Sequence, residues 1–209
     1  MATFMNNAGS FGDIGILVNG RKPALSWQIE NNLRMLRGNA GVLAAKLLSK
    51  LTGIPTLISE LSIKVTDKNG NETDYGVVCR RVVTDVGADK IALAFNAGFT
   101  LANFNYHGVG TGTTAEAAGD TTLVTESTTI LNPDSTRATG TQTNPATKQY
   151  RSVGTLTFDG SGAITEHGLF SQAATGGGSL FDRSVFSAIN VASGDSIQFT
   201  YTLSVTSGG

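Results

Sequence analysis

The sequence predicts a mainly β protein, in which an antiparallel β-sandwich or jelly-roll-like domain follows an N-terminal helical segment. Three observations support this prediction. Apolar and short polar residues alternate strictly from 197 to 205, which is the pattern of an antiparallel strand with one buried face. Further strand-length runs recur between Gly, Asn and Asp turn signals, as they do in sandwiches and barrels. Residues 24–52 instead repeat their apolar positions at helical intervals.

We expect two parts, an N-terminal arm and helical segment at 1–59 and a β-sandwich domain at 60–209. A chain of 209 residues with 40% apolar content is long enough to bury a core without disulfides or metals. Residues 1–21 are rich in Gly and Asn, and we interpret them as an extended arm. Its apolar run at 14–18 is long enough for one short strand.

The helical segment carries a broad apolar face. Its apolar positions are Leu25, Ile29, Leu33 and Leu36, followed by Val42, Leu43, Leu47, Leu48 and Leu51. Because the Gly-Asn-Ala-Gly run at 38–41 interrupts the pattern, we expect a helical hairpin or a kinked helix. Gly53 and Pro55 supply a stop signal. The apolar face must cover either the β-domain of the same chain or a neighbouring subunit, and the spacing does not choose between them.

Strand-length runs fill most of the remaining sequence. The first group is predicted at 61–65, 75–84, 90–95 and, as an extended run, 99–107. The second group is predicted at 150–158, 163–170, 180–186 and 197–205. An Asn-Gly pair at 69–70 predicts a tight hairpin turn.

Residues 108–147 form a long connection rich in Thr, Gly, Ala and Asn. We expect two short surface strands within it, at 121–126 and 136–143. A connection of this length in a compact domain is typically functional or part of an interface.

The charge is unevenly distributed. Residues 1–90 hold 11 Lys and Arg against 8 Asp and Glu, a surplus of +3, whereas 91–209 hold 4 against 8, a deficit of −4. The net charge of −1 argues against a whole-chain nucleic-acid binder, so we expect no direct nucleic-acid contact. We interpret the basic stretch at 22–50 as a solvated helix face, the alternative being a surface for an acidic partner or for nucleic acid. The most apolar window, 40–51, is too short to span a bilayer, and we expect no membrane partner.

Two motifs invite a catalytic interpretation, and both lack essential parts. The Gly-x-Gly-x-Gly run at 108–112 lacks the Lys and the spacing of a phosphate-binding loop, so we interpret it as a flexible or interface-forming turn. His107 and His167 are too few for a typical zinc site, and no G-x-S-x-G elbow is present. We interpret both histidines as structural, while a triad assembled across the fold stays open.

The remaining reactive residue types also have structural interpretations. Cys79, the single cysteine, follows two valines, and we expect a buried, inert thiol. Trp27 lies in the helical segment, where a core or interface role is the simpler account. Five carboxylates would serve a glycosidase only if they converged, and turn formation explains most of them; they are Asp134, Asp159, Glu166, Asp182 and Asp195. We therefore expect a non-enzymatic protein without cofactor or metal.

Several motifs of the C-terminal half, in collinear order, resemble a family of structural proteins of tailed bacteriophages. They are YHGVGTGTTAE at 106–116, DTTLV at 120–124, YRSVGTLTF at 150–158, ITEHGLF at 164–170, DR at 182–183 and SGDSIQFTY at 193–201. The resemblance covers roughly residues 100–207 and does not extend to 1–60. It implies a virion protein of the capsid-decoration (cement) or tail type, made in the host cytoplasm, and it supplies no catalytic residues.

The resemblance and the apolar helical face together define our expectations for function. We expect a capsid decoration (cement) protein that binds and stabilises the major capsid shell. The alternatives are a tail, neck or fibre component and, less favoured, a host-glycan-binding or depolymerase module. The expected partners are the major capsid protein or other virion proteins and further copies of this chain, as a dimer or trimer. The candidate interface residues are Leu25, Trp27, Ile29, Leu33, Arg34, Leu36, Arg37, Lys46 and Lys50.

Overall fold

The computed structural model describes residues 21–81 and 83–207. The strand expected at 14–18 lies outside this range. The elements up to residue 103 are α1 Leu25–Thr52, β1 Thr56–Thr66, β2 Glu72–Arg81, α2 Asp85–Ala94 and a 3₁₀ turn at Leu101–Asn103. The following strands are β3 Tyr106–Gly110, β4 Leu131–Asn132, β5 Ala138–Thr139, β6 Thr141–Thr143, β7 Gln149–Phe158, β8 Gly162–Phe170, β9 Leu180–Val191 and β10 Ser196–Thr206.

Two antiparallel sheets share one hydrophobic core. The larger sheet has the order β2-β1-β10-β7-β4, with β6 also paired to β7, and the smaller has the order β5-β3-β8-β9. Ile63 and Phe199 from the larger sheet and Ile164 and Phe186 from the smaller sheet belong to the same buried cluster. The prediction of a mainly β, antiparallel fold with an N-terminal helical segment is confirmed. Two sheets closing on one core give it a sandwich-like arrangement.

The alternating C-terminal strand lies at the centre of the larger sheet. In β10, Ile197, Phe199 and Tyr201 are fully buried, and the strand pairs with β1 on one side and β7 on the other. Strand β1 continues into the predicted hairpin, whose turn places Gly70 at a φ of 82°. A side chain is strained at such an angle and glycine is not, so the Asn-Gly signal correctly located this turn.

The prediction of a strand at 90–95 is wrong, because these residues belong mostly to helix α2. The helix begins where the Thr84 hydroxyl accepts a hydrogen bond from the Gly87 N–H, at 3.0 Å. Asp85 places a negative charge in the first turn, where it interacts favourably with the helix dipole and stabilises the helix. Six residues of apparent alternation were too few to tell a strand from a short helix.

The expected hairpin or kink in the helical segment is also wrong, since α1 is one continuous helix of 28 residues. Glycine at 38 is required by packing, because a Cβ there would collide with the Arg80 carbonyl oxygen. Gly41 faces open space, so the only effect of glycine there is to lower the helix propensity. The predicted stop is correct, because Gly53 follows the helix in the left-handed region, at a φ of 72°.

The long connection contains less regular structure than expected. Residues 121–126 are described and form no strand; one isolated bridge joins Gly110 to Glu126. The physical reason is that Val124 and Thr125 donate their backbone N–H groups to a buried carboxylate and not to a neighbouring strand. The expected strand at 136–143 is found as the two short strands β5 and β6.

Candidate interaction site

Helix α1 packs against the β-domain mainly through polar and small residues. Its buried positions are Asn31, Met35, Gly38 and Ser49. The Asn31 side chain donates to the Val78 carbonyl of β2 and accepts from the Ser187 N–H of β9, each at 3.1 Å. One buried amide thus links the helix to both sheets.

Trp27 belongs to the same inward face. Its indole Nε1–H lies 3.0 Å from the carbonyl oxygens of both Ser187 and Ala188. Its ring meets Tyr75 edge to face, with centroids 4.7 Å apart. Trp27 was a candidate interface residue, and the structure places it in an intramolecular contact that anchors α1 on its own β-domain.

The outward face of α1 is apolar along its whole length. Its exposed residues, each 54% to 75% accessible, are Leu25, Ile29, Leu33, Leu36, Leu43, Leu47, Leu48 and Leu51. The broad apolar face predicted from the sequence therefore points away from the β-domain of its own chain. A continuous apolar surface of this kind marks an interaction site on a protein. No helix within residues 21–81 and 83–207 combines the length and hydropathy needed to cross a membrane.

The four candidate basic residues, Arg34, Arg37, Lys46 and Lys50, are also exposed on α1. Arg34 forms an ion pair with Glu30 at 3.3 Å, one helical turn away, with both side chains well exposed. A pair this exposed contributes little to stability. The cations therefore remain available to flank whatever binds the apolar face.

A chain of three buried polar side chains joins the two sheets. His107 Nδ1 lies 2.9 Å from His167 Nε2, and His107 Nε2 lies 2.9 Å from the Ser152 hydroxyl. All three residues are fully buried. The connectivity is that of a nucleophile, a base and an orienting group, and the sequence spacing gave no sign of it because the residues come from β7, β3 and β8.

The burial of this Ser-His-His chain makes it a structural element. Gly154 packs on the His107 ring so closely that a Cβ would lie 2.5 Å from its Cδ2 atom, and Ser152 has no accessible surface. Burial lowers the pKa of His107 to about 3. It also lowers the pKa of His167 well below its ordinary value, helped by the neighbouring His107. Both rings are therefore neutral at pH 7.

The hydrogen positions in this chain follow from the one ring nitrogen that lacks a partner. Among the described residues, His167 Nδ1 has no hydrogen-bond partner. A buried acceptor without a partner is tolerated better than a buried N–H, so the proton of His167 lies on Nε2 and points to His107. His107 then donates through Nε2 to Ser152. In this arrangement His107 is not the base that would activate the serine.

A second buried cluster surrounds the carboxylate of Glu166, which is completely inaccessible. Glu166 accepts hydrogen bonds from the backbone N–H groups of Gly112, Val124 and Thr125 at 2.8 to 3.1 Å. Its fourth donor is the Arg183 guanidinium, at 2.8 Å. These four hydrogen bonds occupy the acceptor sites of both oxygens, and Glu166 has no free oxygen for acid–base chemistry.

Arg183 connects Glu166 to the long connection. Its guanidinium also binds the Asp120 carboxylate at 3.0 Å and the Thr114 carbonyl at 3.1 Å. Burial by itself would lower the pKa of Arg183, but the hydrogen bonds and charges of Glu166 and Asp120 outweigh it and raise the pKa above its ordinary value. Arg183 is therefore a permanent cation that fixes the connection to the sandwich.

The Gly-x-Gly-x-Gly run binds an anion of its own chain. A Cβ on Gly110 would lie 2.5 Å from Glu166 Oε1, and a Cβ on Gly112 would lie 2.6 Å from the same atom. The glycines let the backbone approach the carboxylate closely. Of the predicted flexible or interface-forming turn, the flexible part is wrong at Gly110 and Gly112, because the carboxylate fixes their positions.

A second buried arginine holds the other part of the connection. Arg137 binds Glu126 in a bidentate pair, at 2.6 and 3.0 Å, and stacks 3.4 Å from the centroid of the Phe170 ring. It also donates to the carbonyls of Gln172 and Gly177. Planar stacking and a bidentate pair are contacts that a lysine could not make. A charged residue inside an apolar strand, as in LFDRSVF and ITEHGLF, is the sequence signal for such clusters.

The other candidate reactive groups have structural partners. Cys79 is buried, and its Sγ atom lies 3.4 Å from Glu116 Oε1. Asp182 accepts from Ser59 at 2.7 Å inside the core, whereas Asp195 closes a turn by accepting from the Ala192 N–H. Asp134 and Asp159 are exposed at turns. Within the described ranges, no group of three His, Cys, Asp or Glu side chains is arranged to hold a metal ion.

An apolar cleft of about 440 Å³ opens beside α2 and the 3₁₀ turn. Its apolar lining includes Leu57, Ile91, Leu101, Phe104, Phe181 and Leu203. None of the described residues around it is charged.

Comparison with protein-family models, with curated proteins and with solved structures finds no match to this chain. The features on which a functional proposal can rest are the exposed apolar face of α1, the buried charge clusters that fix the long connection, and the motifs of the C-terminal half. Of these, the α1 face is the one that is open to a macromolecular partner.

Proposed function

We propose that this protein is a non-enzymatic structural protein of a bacteriophage virion, and more specifically a capsid decoration protein. In this role the β-domain lies on the shell and α1 makes contacts within the assembly. The major capsid protein and further copies of this chain are its proposed partners. The motifs between residues 106 and 201 support the virion class.

The observation that carries the proposal is the orientation of α1. Eight large apolar residues of one helix face solvent, although the sandwich has a complete core of its own. A monomer gains nothing from exposing such a surface, whereas an assembly protein buries it against its neighbours.

The buried clusters support the same role. Arg137 and Arg183 are almost inaccessible, and each is bound by carboxylates and carbonyls. They fix a long connection that would otherwise cost conformational entropy on binding. A rigid domain repeated many times on a shell gains strength from many weak contacts.

The test is the copy number of the protein in purified virions, measured by quantitative mass spectrometry. A copy number close to that of the major capsid protein is the result expected of a decoration protein. A handful of copies would move the protein to a tail, neck or fibre position. Its absence from virions would overturn the virion role.

A matched pair of variants links copy number to the α1 face. Leu43→Glu places a charge on that face, and we expect virions to lose most of the protein because its multivalent contacts weaken. Phe95→Glu is the control, since Phe95 is 90% exposed after α2. Equal losses for both variants would show that the α1 face has no particular part in attachment.

A further inference from the structure

The outward apolar residues of α1 follow the spacing of a coiled coil. Steps of four and three residues alternate through Ile29, Leu33, Leu36, Ala40, Leu43 and Leu47. This alternation assigns Leu33, Ala40 and Leu47 to heptad position a and Ile29, Leu36 and Leu43 to position d. Such a seam matches another helix with the same repeat.

The contacts of α1 with its own β-domain leave this seam open. In the same heptad, Met35 and Ser49 occupy position c, Asn31 and Gly38 occupy position f, and Trp27 occupies position b. None of these five residues occupies position a or d, and they are the ones that pack inward. The helix can therefore bind its β-domain and a second helix at the same time.

The exposed area is sufficient for a specific interface. The residues counted are Leu25, Ile29, Leu33, Leu36, Leu43, Leu47 and Leu51, with the exposures given above. At about 180 Å² for a fully exposed Leu or Ile, they present roughly 800 Å², which is what each partner contributes to a standard interface.

The flanking charges select a second copy of this chain in parallel orientation. In a parallel, in-register pair, position g of one helix faces position e of the next heptad on the other. Arg37 then faces Asn32, and Lys46 faces Leu51, so no cation at position e or g meets another. Lys50, at position d one heptad after Leu43, lies beyond the seam in the last turn of α1, where its long side chain can keep the ammonium group in solvent. An antiparallel pairing of the same seam would set Arg37 against Arg37 of the other copy, which is repulsive.

We propose that α1 forms a parallel, in-register coiled coil with the α1 helices of one or two further copies of this chain. The seam is Ile29, Leu33, Leu36, Ala40, Leu43 and Leu47. The inference names the partner of the α1 face and rests on the assembly role proposed above. The coil gives the oligomer cyclic symmetry, with the β-domains arranged around a central bundle.

Light scattering after size-exclusion chromatography tests the seam on the full chain. We expect the unmodified protein to be a dimer or trimer and Leu43→Glu to be a monomer with an unchanged circular dichroism spectrum. Leu48→Glu is the matched control, since Leu48 is an exposed leucine of α1 at position b, and it should remain oligomeric. A monomeric unmodified protein, or equal effects of the two variants, would overturn the seam.

Cysteine cross-linking tests the orientation. In the parallel coil two copies of Ile29→Cys lie side by side and form a disulfide on mild oxidation, while the buried Cys79 does not react. In the antiparallel coil, position 29 lies opposite position 47, about 27 Å along the helix from its own counterpart. Cross-links only between Ile29→Cys and Leu47→Cys would overturn the parallel arrangement.

The light-scattering and cross-linking results can fail independently of the virion copy number. A monomer in solution that is abundant in virions would overturn the coiled coil and leave the virion role intact. A coiled-coil oligomer that is absent from virions would overturn the virion role alone.

Discussion

His107 and His167 show at the level of single residues how strongly burial decides chemistry. Their rings meet Ser152 in an order that resembles a catalytic relay, yet both are neutral and closed to solvent. The consequence is a dependence of stability on pH, because the unfolded chain binds protons that the folded protein excludes.

We expect the free energy of unfolding to fall as the pH drops from 7 to 5. An unfolded histidine titrates near pH 6.5, whereas the folded pKa of His107 is about 3. The stabilisation is complete above pH 6.5 and decreases between these two values. The expected loss from His107 is about 2 kcal/mol between pH 7 and pH 5, and His167, whose pKa is also lowered, adds a loss of the same sign; both are measured by urea denaturation at each pH.

The variant His167→Gln provides the control for this pH dependence. Glutamine keeps a hydrogen-bond donor for His107 and removes one titrating ring, so the slope of stability against pH should decrease by about one proton. An unchanged slope in this variant would assign the pH dependence to other groups.

Two glycines of the long connection should respond differently to substitution by alanine. Gly112→Ala places a Cβ 2.6 Å from Glu166 Oε1 and 2.7 Å from Val124 Cβ, and it should destabilise the protein by about 1–3 kcal/mol. Gly119→Ala, in the same connection, meets nothing within 4 Å and should be neutral or slightly stabilising. Thermal denaturation of both variants tests the claim, and similar melting temperatures would contradict it.

Arg183→Met removes the cation from the buried carboxylate of Glu166. Because Glu166 is left without its charged partner, we expect a loss of about 3–5 kcal/mol in the free energy of unfolding. Arg34→Met breaks the exposed pair with Glu30 and should change stability by less than about 0.5 kcal/mol. Chemical denaturation measures both, and a small effect at Arg183 would show that the cluster is not essential.

At the scale of elements, periodicity predicts which helices and strands form better than it predicts which of their residues pack against the rest of the fold. The strands at 61–65 and 197–205 were predictable because a half-buried strand must alternate. Helix α1 was predictable as an amphipathic helix, yet its inward face includes Asn31, Gly38 and Ser49 beside two apolar residues, and no hydrophobic pattern identifies those three. The partners of Asn31 are backbone atoms of distant strands and that of Ser49 is the Thr206 hydroxyl, and one sequence holds no record of these pairings.

Replacing each of the two glycines of α1 by alanine should change the free energy of unfolding in opposite directions. Gly41→Ala should stabilise the protein by about 0.5–1 kcal/mol, because the site faces open space and alanine favours the helix. Gly38→Ala should destabilise it by about 1–3 kcal/mol, because its Cβ meets the Arg80 carbonyl. Thermal denaturation decides, and stabilisation by both changes would show that α1 does not pack closely on β2.

At the scale of the whole molecule, the partners within the buried polar clusters were beyond sequence reasoning. Ser152, His107 and His167 lie on three different strands, and Arg183 reaches Asp120 across 63 positions of the chain. Each residue type is common at a surface. The pairing becomes visible only when the two sheets are brought together, since sequence distance says nothing about distance in the fold.

Because helix and sandwich are packed as separate parts, we expect the sandwich to fold without α1. The main core cluster contains no buried residue of α1, and Trp27 packs against it from outside. A chain that begins at Gly53 should therefore keep the circular dichroism signature of its strands and unfold cooperatively. It should do so at a lower temperature, because the buried Val78 and Val185, which lie next to Met35 of α1, become exposed. It should also be monomeric, because the coiled-coil seam is gone. An unfolded truncated chain would make α1 part of the folding core, and a truncated chain that still oligomerised would place the interface between copies on the β-domain.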